Sequence, residues 1–258
     1  INGMKKTLNQ DNIISHKKKL KKILNKPDIF IGNLEGPLSI FKDKSKEVPF
    51  AFNSSFLELI DHAKINLFSL ANNHTMQYGY RTFNFTCEKL VMNNLFPLGL
   101  KDSSKGTIPF EAKIENNRII FISVSLRPED TSFKPCYAGK KDLKLIKDYI
   151  SKIGNDYFVI LSIHWGNEFV DTPSPNQISL GRELVDMGVN VILGHHSHTV
   201  MPIETYNNSI IAYSLGNFIS DMQYQKVLNS ICLNLEIKDN EVSQYSAQFL
   251  NINNNFPQ

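Results

Sequence analysis

The sequence has few cysteines and no long apolar run. Its three cysteines, Cys87, Cys136 and Cys232, are far apart, which fits neither a disulfide framework nor a Cys-x-x-Cys metal site. We therefore interpret them as structural residues. No apolar stretch is long enough to span a membrane, and no signal peptide is recognisable. These features favour a cytoplasmic protein, and a membrane-anchored, extracytoplasmic location is the alternative if an N-terminal segment is missing.

An excess of one charge sign is also absent. The 258 residues include 28 Lys and Arg against 25 Asp and Glu, a formal net charge of +3, which is too small to indicate a nucleic-acid partner. The basic run at residues 16–26 carries Leu20, Ile23 and Leu24 at helical spacing. A packed helix with a solvated lysine face explains it, and contact with a membrane surface or an anionic polymer is the alternative.

What the sequence does have is a regular alternation of apolar strands and amphipathic helices. We predict strands at 28–32, 65–71, 118–126, 156–163, 189–193 and 209–215, and helices at 54–63, 80–94, 140–154 and 174–188. Such alternation predicts an α/β fold with parallel strand pairing. Two further strands, at about 230–250, predict a C-terminal strand pair and hence a mixed or second sheet. We expect a single domain over residues 1–258.

Polar side chains cluster where five of these strands end. The residues are Asn33, Glu35, Asn72, Asn73, His74, His164, Glu168, His195, His196, His198 and Asn217. The carboxyl ends of parallel strands lie along one edge of an open sheet, so these residues can converge in one cleft. Carboxylate, amide and imidazole groups are ligands for borderline and hard divalent cations. The sequence therefore predicts a metal site at the strand ends.

The spacing of the last histidine group adds a detail. Side chains at i and i+2 of an extended segment point the same way, so His196 and His198 are predicted to chelate as a pair while His195 faces elsewhere. The alternative is that all these histidines are structural residues of a solvated loop.

Five motifs in order resemble those of a known family. "NLEGPL", "SLANNHTMQYG", "HWGNEF", "ILGHHSHTVMPIE" and "AYSLGNF", spread over residues 28–220, resemble the CapA (poly-γ-glutamate capsule synthesis) family, a branch of the calcineurin-like metallophosphoesterase superfamily. The resemblance implies a metallophosphoesterase-like sandwich of two mixed sheets flanked by helices. It also implies a centre of two divalent metal ions (Mn, Mg, Fe or Zn) at the C-terminal ends of the strands.

The resemblance also implies roles for individual residues. The implied metal ligands are Glu35, which would bridge the ions, Asn73, His164, His196 and His198. The implied catalytic residues are Glu35 and His74, and His74 would lie near the leaving group. Possible further site residues are Asn33, His195, Glu168 and Asn217.

Two departures from the family pattern affect these expectations. No strand ending in Gly-Asp precedes Asn33, although the family begins with one, and Asp11 and Asp28 are poor substitutes for its Asp. We expect that this strand is missing because the sequence is a fragment or a trimmed chain, and natural loss of the strand is the alternative. Gln77 stands where the family usually has Asp, which predicts the loss of a hydrogen-bond partner for the loop of His74.

Two functions of different class remain open at this point. The first is a metal-dependent hydrolase, acting on a phosphoester or an amide, in capsule or envelope polymer synthesis. The second is a non-catalytic subunit of a capsule synthesis complex that binds polymer or partner proteins. The expected partners are an anionic polymer or phosphorylated substrate and capsule-synthesis proteins, without nucleic acid and without a membrane segment in this chain.

Overall fold

The computed structural model of the chain describes residues 10–39, 51–52, 54–60, 63–128 and 132–258, and gives side chains for all of these except 10–13, 54–55 and 155. The helices are α1 (Gln10–Leu24), α2 (Gly79–Met92), α3 (Leu143–Ile153) and α4 (Pro175–Asp186). The strands are β1 (Ile29–Asn33), β2 (Ile65–Ser69), β3 (Leu95–Leu98), β4 (Phe110–Ile114), β5 (Asn117–Ser125), β6 (Phe158–His164), β7 (Val191–His195), β8 (Ile203–Tyr206), β9 (Ser209–Ala212), β10 (Asn229–Lys238), β11 (Glu241–Asn253) and β12 (Phe256–Pro257). None of the described helices is both long and apolar enough to cross a membrane.

The largest sheet has six strands in the order β4-β5-β6-β7-β9-β8. The inner pairs β5–β6, β6–β7 and β7–β9 are parallel, whereas the edge strands β4 and β8 pair antiparallel to their neighbours. Every residue of β6 is buried, because one face packs on α3 and α4 and the other on the second sheet layer. This double cover explains the continuous apolar run of β6.

The second layer consists of two three-stranded sheets. β1, β2 and β3 form a parallel sheet, and β10, β11 and β12 form an antiparallel one. Leu20 of α1 and Phe83 of α2 pack on the outer face of β2, where they contact the cluster that includes Phe68. The predicted α/β class is thus confirmed, with sheets flanked by helices and the second expected sheet present in two parts.

Local sequence signals explain how the helices begin and end. α4 begins after Ser174, whose hydroxyl accepts a hydrogen bond from the backbone N–H of Gln177, and Pro175 occupies the first helical position. α3 ends before Gly154, which has a φ of 62°. The helix predicted at 54–63 is wrong in type, because Ser54–Leu59 form a 3-10 helix; residues 61 and 62 lie outside the described part of the chain.

A cavity of about 520 Å³ lies between β1 and β10. The residues of β1 from Ile29 to Gly32 are all partly exposed along it, although their apolar run is typical of a buried strand. One part of the cavity wall is formed by Glu35, His196 and His198, so the cavity borders the predicted metal site.

Candidate metal centre

The sheet topology brings the polar strand ends together. His164 ends β6 and His195 ends β7, and the two residues are paired in the parallel register. Asn33 ends β1 and is paired in the same way with Ser69 at the end of β2. The expected convergence at the C-terminal edge therefore follows from parallel pairing in both sheet layers.

The five residues predicted as metal ligands lie in one buried cluster. His164 Nε2 lies 2.8 Å from Asn73 Oδ1, 3.1 Å from His196 Nδ1 and 3.8 Å from Glu35 Oε1. His198 Nε2 lies 3.7 Å from the same oxygen of Glu35. Potential ligand atoms of Glu35, His164 and His196 all lie within 4.8 Å of one another. The structure thus brings the five residues of the predicted ligand set together.

The hydrogen bonds of Glu35 are incomplete. Glu35 is 3% exposed, and its Oε2 accepts a hydrogen bond from Asn33 Nδ2 at 3.2 Å, but its Oε1 is buried without a hydrogen-bond partner. His196 Nε2 is likewise buried without a partner. A buried carboxylate oxygen without a donor is costly in free energy, and a cation coordinated by it would remove that cost. One carboxylate, one amide oxygen and several imidazoles also form a ligand set that suits divalent metal ions.

Burial keeps two imidazoles of the cluster, those of His164 and His196, neutral. Burial, with smaller effects from the other histidines of the cluster, holds the pKa of His164 well below its usual range. Burial lowers the pKa of His196 to about 3, and the positive charge of Arg127 contributes. Neutral imidazole is the form that binds metal ions, so near pH 7 both side chains are ready to coordinate.

The backbone of the last histidine loop differs from the expected extended segment. His196 has a φ of 98° and His198 a φ of 62°, both in the left-handed region that non-glycine residues avoid. The two rings still face one site, with centroids 6.3 Å apart. The predicted pairing is therefore present, but the reasoning from i, i+2 alternation was wrong. The loop is held by hydrogen bonds, including Phe169 N–H to Ser197 O at 2.8 Å.

Asn72 connects the two motifs that provide Glu35 and His74. Its amide donates hydrogen bonds to Asn33 Oδ1 and to the carbonyl of Leu34. Its Oδ1 accepts from the backbone N–H of His74 and from the hydroxyl of Thr75. Sequence reasoning placed Asn72 in the polar cluster without a role, and the structure gives it a positioning one.

His74 lies beside the cluster and is 6% exposed. Its Nε2 is 3.2 Å from Asn73 Nδ2, and its Nδ1 is 3.3 Å from Gln77 Oε1. The expectation that Gln77 removes a partner of this loop is therefore wrong, because the glutamine amide oxygen reaches His74 itself. Both contacts are satisfied in the neutral ring when Nδ1 carries the proton and donates to Gln77 Oε1, while Nε2 accepts a hydrogen bond from Asn73 Nδ2.

The remaining possible site residues have different surroundings. Asn217 Oδ1 lies 3.1 Å from His198 Nδ1, where it can orient the ring from behind. His195 lines the cavity, its Nε2 is buried without a hydrogen-bond partner, and burial lowers its pKa to about 3. Glu168 is exposed in the loop after β6, and its position does not mark it as a ligand.

Arg127 is a charged neighbour of the centre that sequence reasoning missed. Arg127 comes two residues after the end of β5. The preceding residue, Leu126, donates a backbone hydrogen bond to the carbonyl of His164 at 2.9 Å. The positive charge of Arg127 helps to lower the pKa of His196. The available signal was its position two residues beyond the paired end of β5, at the same edge of the sheet as the histidines.

Comparison with known proteins identifies the family. The sequence model of a family described as bacterial capsule synthesis protein PGA_cap matches residues 2–222. The chain belongs to the PGA_cap family. This confirms the resemblance carried by the five motifs, all of which lie within the matched residues.

Curated relatives of this PGA_cap chain include two CapA proteins. The chain is 28% identical over 252 residues to the PGA biosynthesis protein CapA of Bacillus subtilis, covering 91% of this chain and 64% of that protein. It is 27% identical to the capsule biosynthesis protein CapA of Bacillus anthracis, covering 91% and 60%. A probable polyglutamine synthesis accessory protein of Mycobacterium tuberculosis is 23% identical, covering 76% and 56%. The chain thus spans about three fifths of the length of these relatives.

Solved structures show the same fold. A hypothetical protein from Thermus thermophilus aligns with a TM-score of 0.60 and 11% identity, over 94% of this chain and 95% of its own. A novel phosphatase from Mycoplasma pneumoniae aligns with a TM-score of 0.60 and 14% identity, over 97% and 90%. At these identities the likeness establishes the PGA_cap fold as metallophosphoesterase-like and carries no information on activity.

Proposed function

We propose that this chain is a metal-dependent hydrolase of the metallophosphoesterase type that acts in the synthesis of poly-γ-glutamate capsule or another envelope polymer. The observation that carries the proposal is the buried Oε1 of Glu35, which has no hydrogen-bond partner and lies within 3.8 Å of His164 Nε2 and His198 Nε2. Membership of the PGA_cap family supports the biological setting.

The residues that would hold two divalent ions are Glu35, Asn73, His164, His196 and His198. Mn, Mg, Fe and Zn all accept a mixed set of oxygen and imidazole ligands. When bound, such ions supply an activated water and stabilise negative charge on the reacting oxygens. Within the protein, Asn33 and Asn217 orient the ligands Glu35 and His198 through the contacts described above.

His74 is the proposed general acid. It lies beside Asn73 rather than among the atoms that surround Glu35, so it can deliver a proton without losing a metal ligand. The proton for the departing oxygen would be carried on Nε2, in a ring protonated on both nitrogens, because the Nδ1 proton faces Gln77; in the neutral form Nε2 instead accepts from Asn73. General acid catalysis of this kind contributes about 10²–10⁴-fold in rate.

The variant His74→Ala tests this assignment. It should keep the affinity for Mn²⁺ within about twofold and lower kcat for bis(4-nitrophenyl) phosphate by about 10²-fold or more. His16→Ala, which changes a histidine of α1 stacked on Phe256, is the matched control and should change neither quantity. Equal losses of metal and turnover in His74→Ala would make His74 a ligand and overturn its role as an acid.

The substrate of this reaction is either a phosphoester or an amide. The same metal centre can polarise a phosphoryl or a carbonyl oxygen, so its ligand set does not distinguish the two. An anionic polymer or a phosphorylated precursor, together with other capsule-synthesis proteins, are the proposed partners.

A non-catalytic subunit of a capsule synthesis complex is the second candidate. It is favoured by the Mycobacterium tuberculosis relative, which is named an accessory protein. Tight binding of divalent ions without turnover of phosphodiester or γ-glutamyl amide substrates would select this function over the hydrolase.

We also propose that residues 1–258 form a single domain.

A further inference from the structure

Two exposed aromatic side chains lie on one side of the predicted metal ligand His198: Phe169 contacts its ring, and Tyr224 contacts Phe169. The ring centroid of Phe169 lies 5.9 Å from that of His198 and 5.9 Å from that of Tyr224, which meets it edge to face. Phe169 is 40% exposed and Tyr224 is 68% exposed. The buried polar cluster is therefore bordered on this side by an apolar wall that is open to solvent.

The backbone of Phe169 is held in an unfavourable conformation. Its φ of 60° lies in the left-handed region, which is a marked exception for a bulky residue. Two hydrogen bonds fix this loop to the histidine loop: Phe169 N–H donates to Ser197 O at 2.8 Å, and the Thr199 hydroxyl donates to Val170 O at 2.5 Å. Strain of this kind persists where the surroundings enforce it, and here it directs the ring to the surface beside the centre instead of into the core.

Tyr224 is connected to the same histidine by a different route. Asn217, whose Oδ1 contacts His198 Nδ1, uses its amide nitrogen to donate to the carbonyl of Val227 at 3.4 Å. That nitrogen also lies 3.8 Å from the sulfur of Met222. The segment that carries Tyr224 is thus fixed at both sides by the side chain that orients a metal ligand.

We propose that Phe169 and Tyr224 form a substrate subsite, the aromatic wall, which takes a flat or methylene-rich uncharged group next to the bond that is cleaved. The proposal rests on the proposed function of the centre and adds the kind of group that the substrate carries there. Aromatic faces bind planar groups such as amide planes and aryl rings, and bury methylene groups, whereas a bare phosphate or carboxylate gains nothing from them.

Equilibrium binding separates the aromatic wall from the metal centre. Phenylphosphonate and methylphosphonate present the same anionic group and differ only in the group that would meet the wall. The Mn²⁺-loaded protein should bind phenylphosphonate at least fivefold more tightly, measured by calorimetry. In Phe169→Ala and Tyr224→Ala the affinity for phenylphosphonate should fall toward the affinity for methylphosphonate. The affinity of these variants for methylphosphonate itself should change less than twofold. Tyr224→Phe should keep the preference for phenylphosphonate.

The control is Phe249→Ala, which removes a phenylalanine that is 74% exposed on β11 and should leave both affinities unchanged. Equal affinity of the wild-type protein for the two phosphonates, or no measurable binding of phenylphosphonate, overturns the aromatic wall. If the protein prefers phenylphosphonate through Phe169 but shows no turnover, the aromatic wall is supported and the hydrolase is refuted. The two proposals can therefore be overturned independently.

Discussion

At the residue scale, Glu35 shows the conflict between stability and metal binding most clearly. Its Oε1 is buried without a hydrogen-bond donor and lies 3.8 Å from His164 Nε2 and 3.7 Å from His198 Nε2. A buried carboxylate charge without a donor lowers the stability of the metal-free protein. The same charge strengthens the binding of a cation. The same side chain should therefore destabilise the apo protein and stabilise the metal-bound one.

The variant Glu35→Gln measures both effects. The amide has no charge to desolvate and can donate to an imidazole, so the melting temperature in EDTA should stay the same or rise. The affinity for Mn²⁺ should fall about 10-fold or more, since a charged ligand is lost. A lower apo melting temperature together with unchanged Mn²⁺ affinity would contradict this account of Glu35.

The buried histidines predict how the stability of the apo protein depends on pH. His195 and His196 have pKa values lowered to about 3 in the folded protein, from about 6.5 in the unfolded chain. The unfolded chain therefore binds more protons between pH 6.5 and 3, so stability is complete above pH 6.5 and is lost as the pH falls. Each group contributes a slope of at most about 1.4 kcal/mol per pH unit.

Urea unfolding in EDTA at pH 7.5, 6.0 and 5.0 checks this prediction. The free energy of unfolding should fall over this range, and His195→Gln should make the fall shallower because one depressed group is removed. A flat profile, or stability that rises toward pH 5.0, would mean that these imidazoles are not held neutral by burial.

The residue types of the candidate site were predictable from the sequence, but its geometry was not. Glu35, Asn73 and His164 each follow an apolar strand, and parallel pairing is enough to bring such residues to one edge. The conformation of His196 and His198 was not predictable in this way, because their left-handed φ values depend on contacts with a distant loop. Arg127 was missed because a guanidinium is always protonated and cannot ligate a metal, and only potential ligands were sought at the strand ends.

At the scale of the elements, Gly194 decides whether β7 can deliver its histidines. A Cβ at this position would lie 2.0 Å from the backbone oxygen of Tyr213, because the segment after β9 passes directly over the strand. Gly194 O also accepts a hydrogen bond from Leu215 N–H at 3.2 Å. Only glycine allows this approach, which holds the start of the histidine loop in place.

The variant Gly194→Ala should therefore destabilise the protein by about 3 kcal/mol or more, because backbone atoms have to move. Gly139→Ala is the matched control, since Gly139 has extended backbone angles and the nearest atoms to an added Cβ lie at 3.9–4.0 Å. Its cost should stay below about 1 kcal/mol. Similar unfolding free energies for the two variants, measured in urea, would refute the steric account.

The elements that sequence reasoning missed share a position in the fold. β3, β4 and β8 are edge strands, and an edge strand needs neither a continuous apolar run nor a full set of backbone donors. β3 even contains Pro97, which a central strand would exclude. The central strands β5, β6 and β7 were predicted well because burial on both faces makes their sequences uniformly apolar.

At the scale of the whole molecule, two sheets and one connecting segment converge on one centre. The six-stranded sheet supplies His164 and the histidine loop after β7, and the β1–β2–β3 sheet supplies Glu35 and the Asn73–His74 pair. The segment between β9 and β10 adds Asn217, which supports His198. Because each layer contributes part of the ligand set, the centre can form only when the layers are packed together, and bound metal should in turn stabilise that packing.

A crystal of the protein soaked with Mn²⁺ and measured for anomalous scattering tests the central claim most directly. The account predicts an anomalous peak within coordination distance of Glu35, His164 and His196, with Asn73 or His198 completing the ligand set. A peak elsewhere on the surface, or none at this cluster at saturating Mn²⁺, would contradict it.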